Sequence, residues 1–494
     1  MILASLLFPL GVFSSVDVPK SVLDYKGEVV PVLVQFDPPT HVITKVERGQ
    51  YGNSDARARA LVKELQKFAT KSQAAAVAFL DGLENKNYRS YYISNTLAVD
   101  APLEAIKKLA SFDGIKTVAP NFAPSKPQLN TEGMDSVSKK YKSEYYPEFG
   151  NKKPRFREAP TSRSPAIKII NAHNVDPKII SKAKDLVFGN LDSGVDLNHP
   201  VLKDNYKGTK SNHNYAWFDA TRETPIKPRG NKPLSVPHDN TSHGTRVVSL
   251  AVGKNGIGVS PESKWIACKA IDNLDKPTTE YYLSCQQFLL APTDLDGKDP
   301  DPKQRPHVIG NSWTCTKEYN CFNEPFIYAS HAHHVAGIFN VAAAGNSGYL
   351  GCGGITYPPA ENKHSFVIAG VEQDSLTRTL FSSLGPSQWG SPSIDVSAPG
   401  DHILAAEPDG AYGYESGTSF AAPLAAGGSL LVMAACPHLQ RDPSALAEIL
   451  HKSATPKYST KGCGGDTDKS IPNNEYGFGL LDVQKAINLC TNKK

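Results

Sequence analysis

The stretch YGYESGTSFAAPLAAGGSLLVMAAC, residues 412–436, sets three small polar residues directly before an almost wholly apolar run. A helix that is apolar on every side has to be covered on every side, so the run predicts a helix buried inside a layered domain. It is short and is interrupted by Gly427 and Gly428, which argues against a membrane span. We expect Pro423 in the first turn of this helix, where an N–H would have no intrahelical partner.

Around this run, apolar strand-like segments alternate with helical ones from residue 165 to residue 494. Examples are DLVFGNLDSG, SKWIACKAI, PHVIGNSW, IFNVAAAGN and FVIAGV for strands, and SHGTRVVSLAVG and TEYYLSCQQFLL for helices. Continuous apolar strands between helices predict an α/β fold with a mostly parallel central sheet covered on both faces. Functional side chains then gather at the carboxyl ends of the strands.

The first part of the chain has a different pattern. Residues 25–122 read as strand, helix, two strands, helix and strand, which is the βαββαβ order of a small ferredoxin-like α+β domain. Residues 123–164 are polar and rich in Lys, Pro and Ser, so they predict an exposed linker open to proteolysis. Residues 1–14 predict a secretory signal peptide, since residues 2–13 form an apolar stretch too short to span a bilayer. A buried N-terminal segment is the alternative, because Lys and Arg are missing there.

Composition limits the classes of function. The chain has 494 residues, of which 40% are hydrophobic and 21% charged, as in globular proteins. A net charge of +4, without a basic stripe, argues against a nucleic-acid partner. We also expect no membrane partner and a monomeric protein. Eight cysteines, all in the second half, fit a secreted, extracellular protein with disulfides, and their spacing matches no zinc motif. Their pairing stays open.

Four polar residues lie at the ends of predicted strands or at the starts of predicted helices, where such a fold places functional side chains. Asp192 and Asn346 each end a predicted strand, and either could be a simple turn residue. His243 lies at the start of a predicted helix, for which Thr241 and Ser242 are the expected N-caps. A helix N-terminus disfavours imidazolium, and a nearby carboxylate would restore the basicity of His243.

Ser419 begins the buried helix, where its N–H and the helix dipole can stabilise an oxyanion. A hydroxyl needs a base, and the base needs a carboxylate to hold its tautomer. The order Asp192, His243, Ser419 is the one that subtilisin uses, and Asn346 would donate the second oxyanion hydrogen bond.

The blocks LDSGVDLNHP, SHGTRVVSLAVG, AAAGNSG and SGTSFAAP together resemble the subtilisin-like serine proteases (subtilases), and SKWIACKAI and NSWTC resemble the bacillopeptidase F branch. The resemblance implies a three-layer subtilisin-like catalytic domain over residues 165–494. It also implies that residues 25–122 are an inhibitory prodomain, that the chain is made as an autoprocessed zymogen, and that its substrates are polypeptides.

The resemblance also implies walls for the pocket that binds the residue before the scissile bond (P1). These walls are formed by Asn311, Ser312 and Trp313 on one side and Ala343, Ala344 and Gly345 on the other. No cofactor is needed for the chemistry. A structural calcium ion is unsupported at the usual position, since Val201 replaces the acidic ligand there. Cys352 is expected to pair with Cys315 or Cys321 near the pocket.

Further departures and alternatives are open at this point. Arg246 replaces the His of the usual His-Gly-Thr-His, and we expect it to change packing or exposed charge and not the triad. The HAHH motif, with His331, His333 and His334, predicts surface histidines and not a metal site.

A catalytically dead binding protein is one alternative function, opposed by the intact residue set. A lipase or esterase is another, opposed by the missing G-x-S-x-G elbow. Sedolisins lack the His and Asn present here.

Overall fold

The computed structural model describes residues 16–122, 155–160, 162–221, 235–271, 278–316, 320–388, 390 and 393–492. The predicted signal peptide and most of the predicted linker lie outside these ranges.

Residues 16–122 form an N-terminal unit with a four-stranded antiparallel sheet in the order β2-β3-β1-β4, which agrees with the split-βαβ expectation. Its strands are Val30–Phe36 (β1), Asn87–Tyr91 (β2), Thr96–Ala101 (β3) and Ile115–Pro120 (β4). Its helices are Lys20–Leu23 (α1), Thr40–Arg48 (α2), Ser54–Asp81 (α3) and Leu103–Leu109 (α4). The sequence analysis did not predict α1 or α2. Asn53 starts α3, because its side chain accepts a hydrogen bond from the Ala56 N–H at 2.9 Å.

The second part of the chain is built around a seven-stranded sheet in the order β12-β11-β10-β9-β6-β8-β7, and its strand pairs are parallel. A small antiparallel sheet, β13-β14-β5, lies beside it. The strands are Arg155–Phe156 (β5), Val187–Asp192 (β6), Trp217–Asp219 (β7), Lys264–Lys269 (β8), Val308–Asn311 (β9), Phe339–Ala343 (β10), Ser365–Val371 (β11), Val396–Pro399 (β12), Ile403–Glu407 (β13) and Ala411–Glu415 (β14).

Helices cover both faces of this sheet, which confirms the predicted three-layer α/β fold. They are Pro165–Ile169 (α5), Pro177–Lys182 (α6), His243–Val252 (α7), Thr279–Leu290 (α8), Glu324–Val335 (α9), Thr418–Ala435 (α10), Pro443–Ser453 (α11) and Val483–Thr491 (α12). Helices α7 and α10 pack against each other, whereas α8 and α9 form a separate pair that also contacts the N-terminal unit.

Helix α10 is long and apolar enough to cross a membrane by length and composition, but 89% of it is buried inside the protein. It is therefore the core helix that the sequence predicted. The position expected for Pro423 is wrong, because α10 begins at Thr418 and Pro423 is its sixth residue. A proline there leaves the Ser419 carbonyl without its usual N–H donor. The Ser312 hydroxyl donates to that carbonyl instead, at 2.9 Å.

Four disulfides join the eight cysteines: Cys268–Cys285, Cys315–Cys321, Cys352–Cys463 and Cys436–Cys490. The expected bond from Cys352 to Cys315 or Cys321 is wrong. Cys315 and Cys321 are only 6 residues apart and close their own loop, so Cys352 reaches across the fold to Cys463.

Candidate active site

Asp192 and His243 form a hydrogen-bonded pair at the carboxyl end of the central strand β6. Asp192 is the last residue of β6 and is fully buried. The Nδ1 atom of His243 lies 2.8 Å from Asp192 Oδ1 and 2.9 Å from Oδ2. With its proton on Nδ1, the imidazole donates to the carboxylate and leaves Nε2 free to accept a proton. The expected partnership of these two residues is present.

The pKa of His243 reflects opposing influences. Burial alone would lower it, and the charge and hydrogen bond of Asp192 raise it, so that the pKa lies above its ordinary value. The Arg246 guanidinium lowers the pKa, and the Asp239 carboxylate raises it. His243 therefore keeps its basicity at a helix N-terminus because the carboxylates of Asp192 and Asp239 raise its pKa.

Asp239 caps the helix that begins at His243, and the sequence analysis missed it. Its Oδ1 accepts from the N–H groups of Thr241 and Ser242 at 3.1 and 3.0 Å. Its Oδ2 accepts from the N–H of Thr245 at 2.9 Å and from the Thr245 hydroxyl at 2.6 Å. The capping role expected of Ser242 is wrong, because its φ of 76° places it in the left-handed region and its side chain makes no cap bond. An Asp four residues before the His was the available signal.

The loop after Asp192 is tied to the same cap. The Ser193 hydroxyl donates to Asp239 Oδ1 at 3.0 Å and accepts from the Gly244 N–H at 2.9 Å. Gly244 sits so close to this loop that an added Cβ would overlap the carbonyl oxygen of Gly194. The strand carrying the carboxylate and the helix carrying the imidazole are thus held together by backbone contact and by Asp239.

Ser419 lies in the first turn of α10, at the N-terminal end of this buried helix. The residue before the helix, Gly417, has φ 155° and ψ 154°, a backbone conformation that residues other than glycine rarely adopt. Within the described residues, no backbone carbonyl accepts the N–H of Ser419. A first-turn N–H of this kind is free to donate to a ligand, and the helix dipole favours an anion there.

The Ser419 hydroxyl does not form a hydrogen bond with His243 in this structure. It donates to the Ser312 carbonyl at 3.2 Å, and between the two described side chains no hydrogen bond is formed. The ring of Phe420, the next residue, lies 5.7 Å from the His243 ring, so the imidazole does reach the start of α10. Catalytic hydrogen bonds are often long or misaligned before substrate binds. A rotation of the Ser419 side chain would turn its hydroxyl from the Ser312 carbonyl towards His243.

Asn346 lies beside the first turn of α10 and is oriented by Thr418. Its Oδ1 accepts from the N–H and from the hydroxyl of Thr418, both at 3.0 Å. The amide nitrogen therefore points elsewhere, and it lies 3.6 Å from the position that a Cβ on Gly417 would occupy. Asn346 is exposed, so its N–H groups can reach a ligand beside Ser419.

The predicted pocket residues end two neighbouring strands. Asn311 pairs with Ala342 in the β9–β10 ladder, which brings residues 311–313 beside residues 343–345. Gly345 also contacts the first turn of α10, since its N–H donates to the Thr418 hydroxyl at 3.2 Å. Trp313 is buried, and its ring stacks on Tyr282 with centroids 4.0 Å apart. Its side chain belongs to the core, whereas Ser312 touches Ser419.

Arg246 is neither loosely packed nor simply on the surface. It forms two hydrogen bonds with Glu407, Nε to Oε1 at 2.7 Å and a terminal nitrogen to Oε2 at 2.9 Å, and lies 3.1 Å from Glu415. Both carboxylates are buried. The residue that departs from the usual motif thus joins the His243 helix to the β13–β14 hairpin.

The expected surface position of the HAHH histidines is wrong for His333. Its Nε2 lies 2.8 Å from the Gln286 carbonyl, and burial lowers its pKa to about 4. His331 is stacked on His364 with ring centroids 4.6 Å apart. In the described ranges, no group of three or more His, Cys, Asp or Glu side chains is arranged to hold a metal ion.

Comparisons with known proteins identify relatives. The sequence model of the subtilase family matches residues 183–479, more than half of the chain. The chain is 29% identical to bacillopeptidase F of Bacillus subtilis (strain 168) over 463 residues, which cover 87% of this chain and 29% of that protein. It is 28% identical to subtilisin amylosacchariticus of Bacillus subtilis subsp. amylosacchariticus over 251 residues, covering 50% of this chain and 55% of that protein. The chain thus spans 29% and 55% of these two relatives' lengths.

Proposed function

Because this chain belongs to the subtilase family, we propose that it is a secreted serine endopeptidase that is made as an autoprocessed zymogen. Asp192, His243 and Ser419 act as the catalytic triad, and Asn346 completes the oxyanion hole. The hydrogen-bonded Asp192–His243 pair beside the free helix N-terminus at Ser419 carries this proposal. The intact set of residues also disfavours a catalytically dead binding protein.

The reaction follows from the roles of these groups. His243 Nε2 takes the proton of the Ser419 hydroxyl as Oγ attacks the carbonyl carbon of the substrate. Asp192 holds the proton on Nδ1 and stabilises the imidazolium that forms. Hydrogen bonds from the Ser419 N–H and the Asn346 amide stabilise the negative charge on the carbonyl oxygen. Imidazolium then gives its proton to the leaving amine, and water hydrolyses the acyl-enzyme by the same steps.

The resting hydrogen bond of Ser419 fits this cycle. The hydroxyl has to leave the Ser312 carbonyl and turn to His243 before it can be deprotonated, which costs about one hydrogen bond, roughly 1 kcal/mol. Ser312 keeps a second bond to the Ser419 carbonyl, so the helix start is held while the hydroxyl rotates.

The substrate is an extended polypeptide. It would lie between residues 309–313 and 342–346 and pair with them through its main chain, which gives affinity with little side-chain selectivity. We propose broad cleavage with a preference for apolar residues before the scissile bond. Profiling on a peptide library tests this, and strict acidic or dibasic preference would contradict it.

The N-terminal unit acts as an inhibitory prodomain in this proposal. Its contacts with the rest of the chain support the role: Glu280, a buried residue in the first turn of α8, binds Arg89, Tyr91 and Asn121 of the N-terminal unit. The Tyr91 hydroxyl donates to Glu280 at 2.9 Å and the Asn121 amide at 2.6 Å. This junction holds the N-terminal unit against α8 of the second part of the chain.

Comparison of wild type with Ser419→Ala tests self-processing. Wild type should lose the N-terminal unit after expression, and the variant should keep it. Equal trimming of both proteins would contradict self-processing. Glu280→Ala should speed the appearance of activity in the wild-type background, because the prodomain loses its central acceptor. Glu324→Ala, which removes a hydrogen bond to Tyr328 within α9, is the matched control.

A further inference from the structure

A short segment N-terminal to the matched subtilase domain pairs with a hairpin that leads to Ser419. Strand β5, Arg155–Phe156, adds to the β13–β14 hairpin in antiparallel register, with Phe156 opposite Tyr412 and Arg155 opposite Gly413. The ring of Phe156 stacks on that of Tyr412 with centroids 6.2 Å apart and lies 6.0 Å from Tyr414. The segment lies outside the residues that match the subtilase family, 183–479.

Arg155 completes a charge cluster beneath the hairpin. Its guanidinium lies 2.9 Å from Glu407 Oε2, the oxygen that also accepts from Arg246. Gly413 makes room for this arrangement, since a Cβ there would lie 3.0 Å from the Glu407 carboxylate. The cluster thus contains two guanidiniums, from Arg155 and Arg246, and two buried carboxylates, from Glu407 and Glu415.

This cluster touches both halves of the catalytic machinery. Arg246 is on α7, three residues after His243, and the Ser249 hydroxyl of the same helix accepts from the Ala406 N–H at 3.0 Å. Strand β14 ends at Glu415, four residues before Ser419. A shift of the hairpin would therefore move the base and the nucleophile relative to each other.

The pairing of Glu407 argues that the segment is not discarded. With Arg155 present, the buried Glu407 carboxylate binds two guanidiniums, those of Arg155 and Arg246. Without Arg155, Glu407 keeps Arg246 alone, and the loss of a charged hydrogen bond at a buried carboxylate destabilises the hairpin. A proteolytic cut after Phe156 would also remove the strand that pairs with β14 and the ring that stacks on Tyr412.

We propose that Arg155 and Phe156 stay on the catalytic domain after processing, so that the cut lies N-terminal to Arg155, and that they position the helix bearing His243. The inference rests on the proposed zymogen processing and narrows the predicted cleavage region of residues 123–164. Arg155 acts here as a positioning residue, because it reaches the reacting groups only through Glu407 and Arg246.

N-terminal sequencing and intact mass of the freshly activated wild type test the retention. The first residue should be Arg155 or one before it, and a first residue after Arg155 overturns the proposal. For positioning, Arg155→Ala should lower kcat roughly tenfold with KM unchanged, because the base is displaced and binding is not. Arg155→Lys should recover part of that loss, and Arg157→Ala, at an exposed neighbour, should match wild type. Equal kcat for Arg155→Ala and Arg157→Ala overturns the positioning role.

Hydrogen exchange tests the anchor without relying on protease activity. In the uncut Ser419→Ala chain, the double variant Arg155→Ala, Phe156→Ala should exchange the amides of residues 411–415 faster than Arg157→Ala does. Equal exchange overturns the anchor. Wild type that remains uncut would contradict the processing proposal and the retention with it, whereas the exchange result would still decide whether β5 holds the hairpin.

Discussion

Replacement of Asp239 tests how the helix of the catalytic base is held. Its carboxylate accepts five hydrogen bonds, from the N–H groups of Thr241, Ser242 and Thr245 and from the hydroxyls of Ser193 and Thr245. Asp239→Ala removes all five. Asp239→Asn keeps one amide oxygen as an acceptor and removes the negative charge.

The loss of stability follows from which donors become stranded. Thr245 is fully buried, so its N–H and hydroxyl would lose their acceptor away from water. Two stranded donors at about 1–3 kcal/mol each give a loss of about 4 kcal/mol for Asp239→Ala, and the lost cap bond from the Thr245 N–H is one of the two. Asp239→Asn should lose about 2 kcal/mol, since one oxygen remains. The partly exposed Thr241 and Ser242 can bond to water instead.

Chemical denaturation in the Ser419→Ala background gives the free energy of unfolding without self-digestion. Asp442→Asn is the matched control, because Asp442 caps α11 through a single hydrogen bond, from the Ala445 N–H at 3.0 Å, and Asn caps equally well. Its unfolding free energy should stay within about 0.5 kcal/mol of the parent.

Activity supplies a second readout with a defined sign. His243 has to be neutral to accept a proton, so the rate falls as pH drops through its raised pKa. The Asp239 carboxylate raises the pKa of His243, and Asp239→Asn should therefore move the acid limb of kcat/KM to lower pH. An unchanged acid limb, with a stability loss no greater than that of Asp442→Asn, would refute the reasoning.

Two further predictions concern Arg246 and Asn346. Arg246→Met should move the acid limb of kcat/KM to higher pH, since the guanidinium lowers the pKa of His243. Denaturation in the Ser419→Ala background should show a loss of about 1.5–3 kcal/mol, because the buried Glu407 loses its charged hydrogen bonds from Arg246 and keeps only Arg155. An acid limb moving to lower pH would contradict the assignment. Asn346→Ala should lower kcat by a factor of roughly 10²–10³ with little change in KM, because its amide acts on the oxyanion in the transition state. Steady-state kinetics measure this, and a change confined to KM would place Asn346 in substrate binding only.

Much of this architecture could be predicted from the sequence. The parallel sheet followed from continuous apolar strands, and the buried α10 followed from a run without a polar face. Asp192 and His243 could be paired because one ends a strand and the other begins a helix at the same edge of the sheet. These inferences depend on periodicity and on strand ends, both of which are local properties of the chain.

The parts that could not be predicted depend on contacts between distant segments. Asp239 replaces Ser242 as the cap because the loop before His243 turns through a left-handed residue, which no local pattern indicates. Cys352 pairs with Cys463 across 111 residues, and only the folded chain decides among the possible partners. The buried partners of Arg246 come from the hairpin at residues 403–415, so the sequence could not show whether Arg246 would change packing or exposed charge.

Labelling with a serine-directed phosphonate tests the central claim most directly. If His243 activates Ser419, activated wild type should gain one phosphonyl group, and peptide mapping should place it on Ser419. His243→Ala should remain folded by circular dichroism and stay unlabelled, because the hydroxyl has lost its base. A label on another serine, or equal labelling of the His243→Ala variant, would contradict the account.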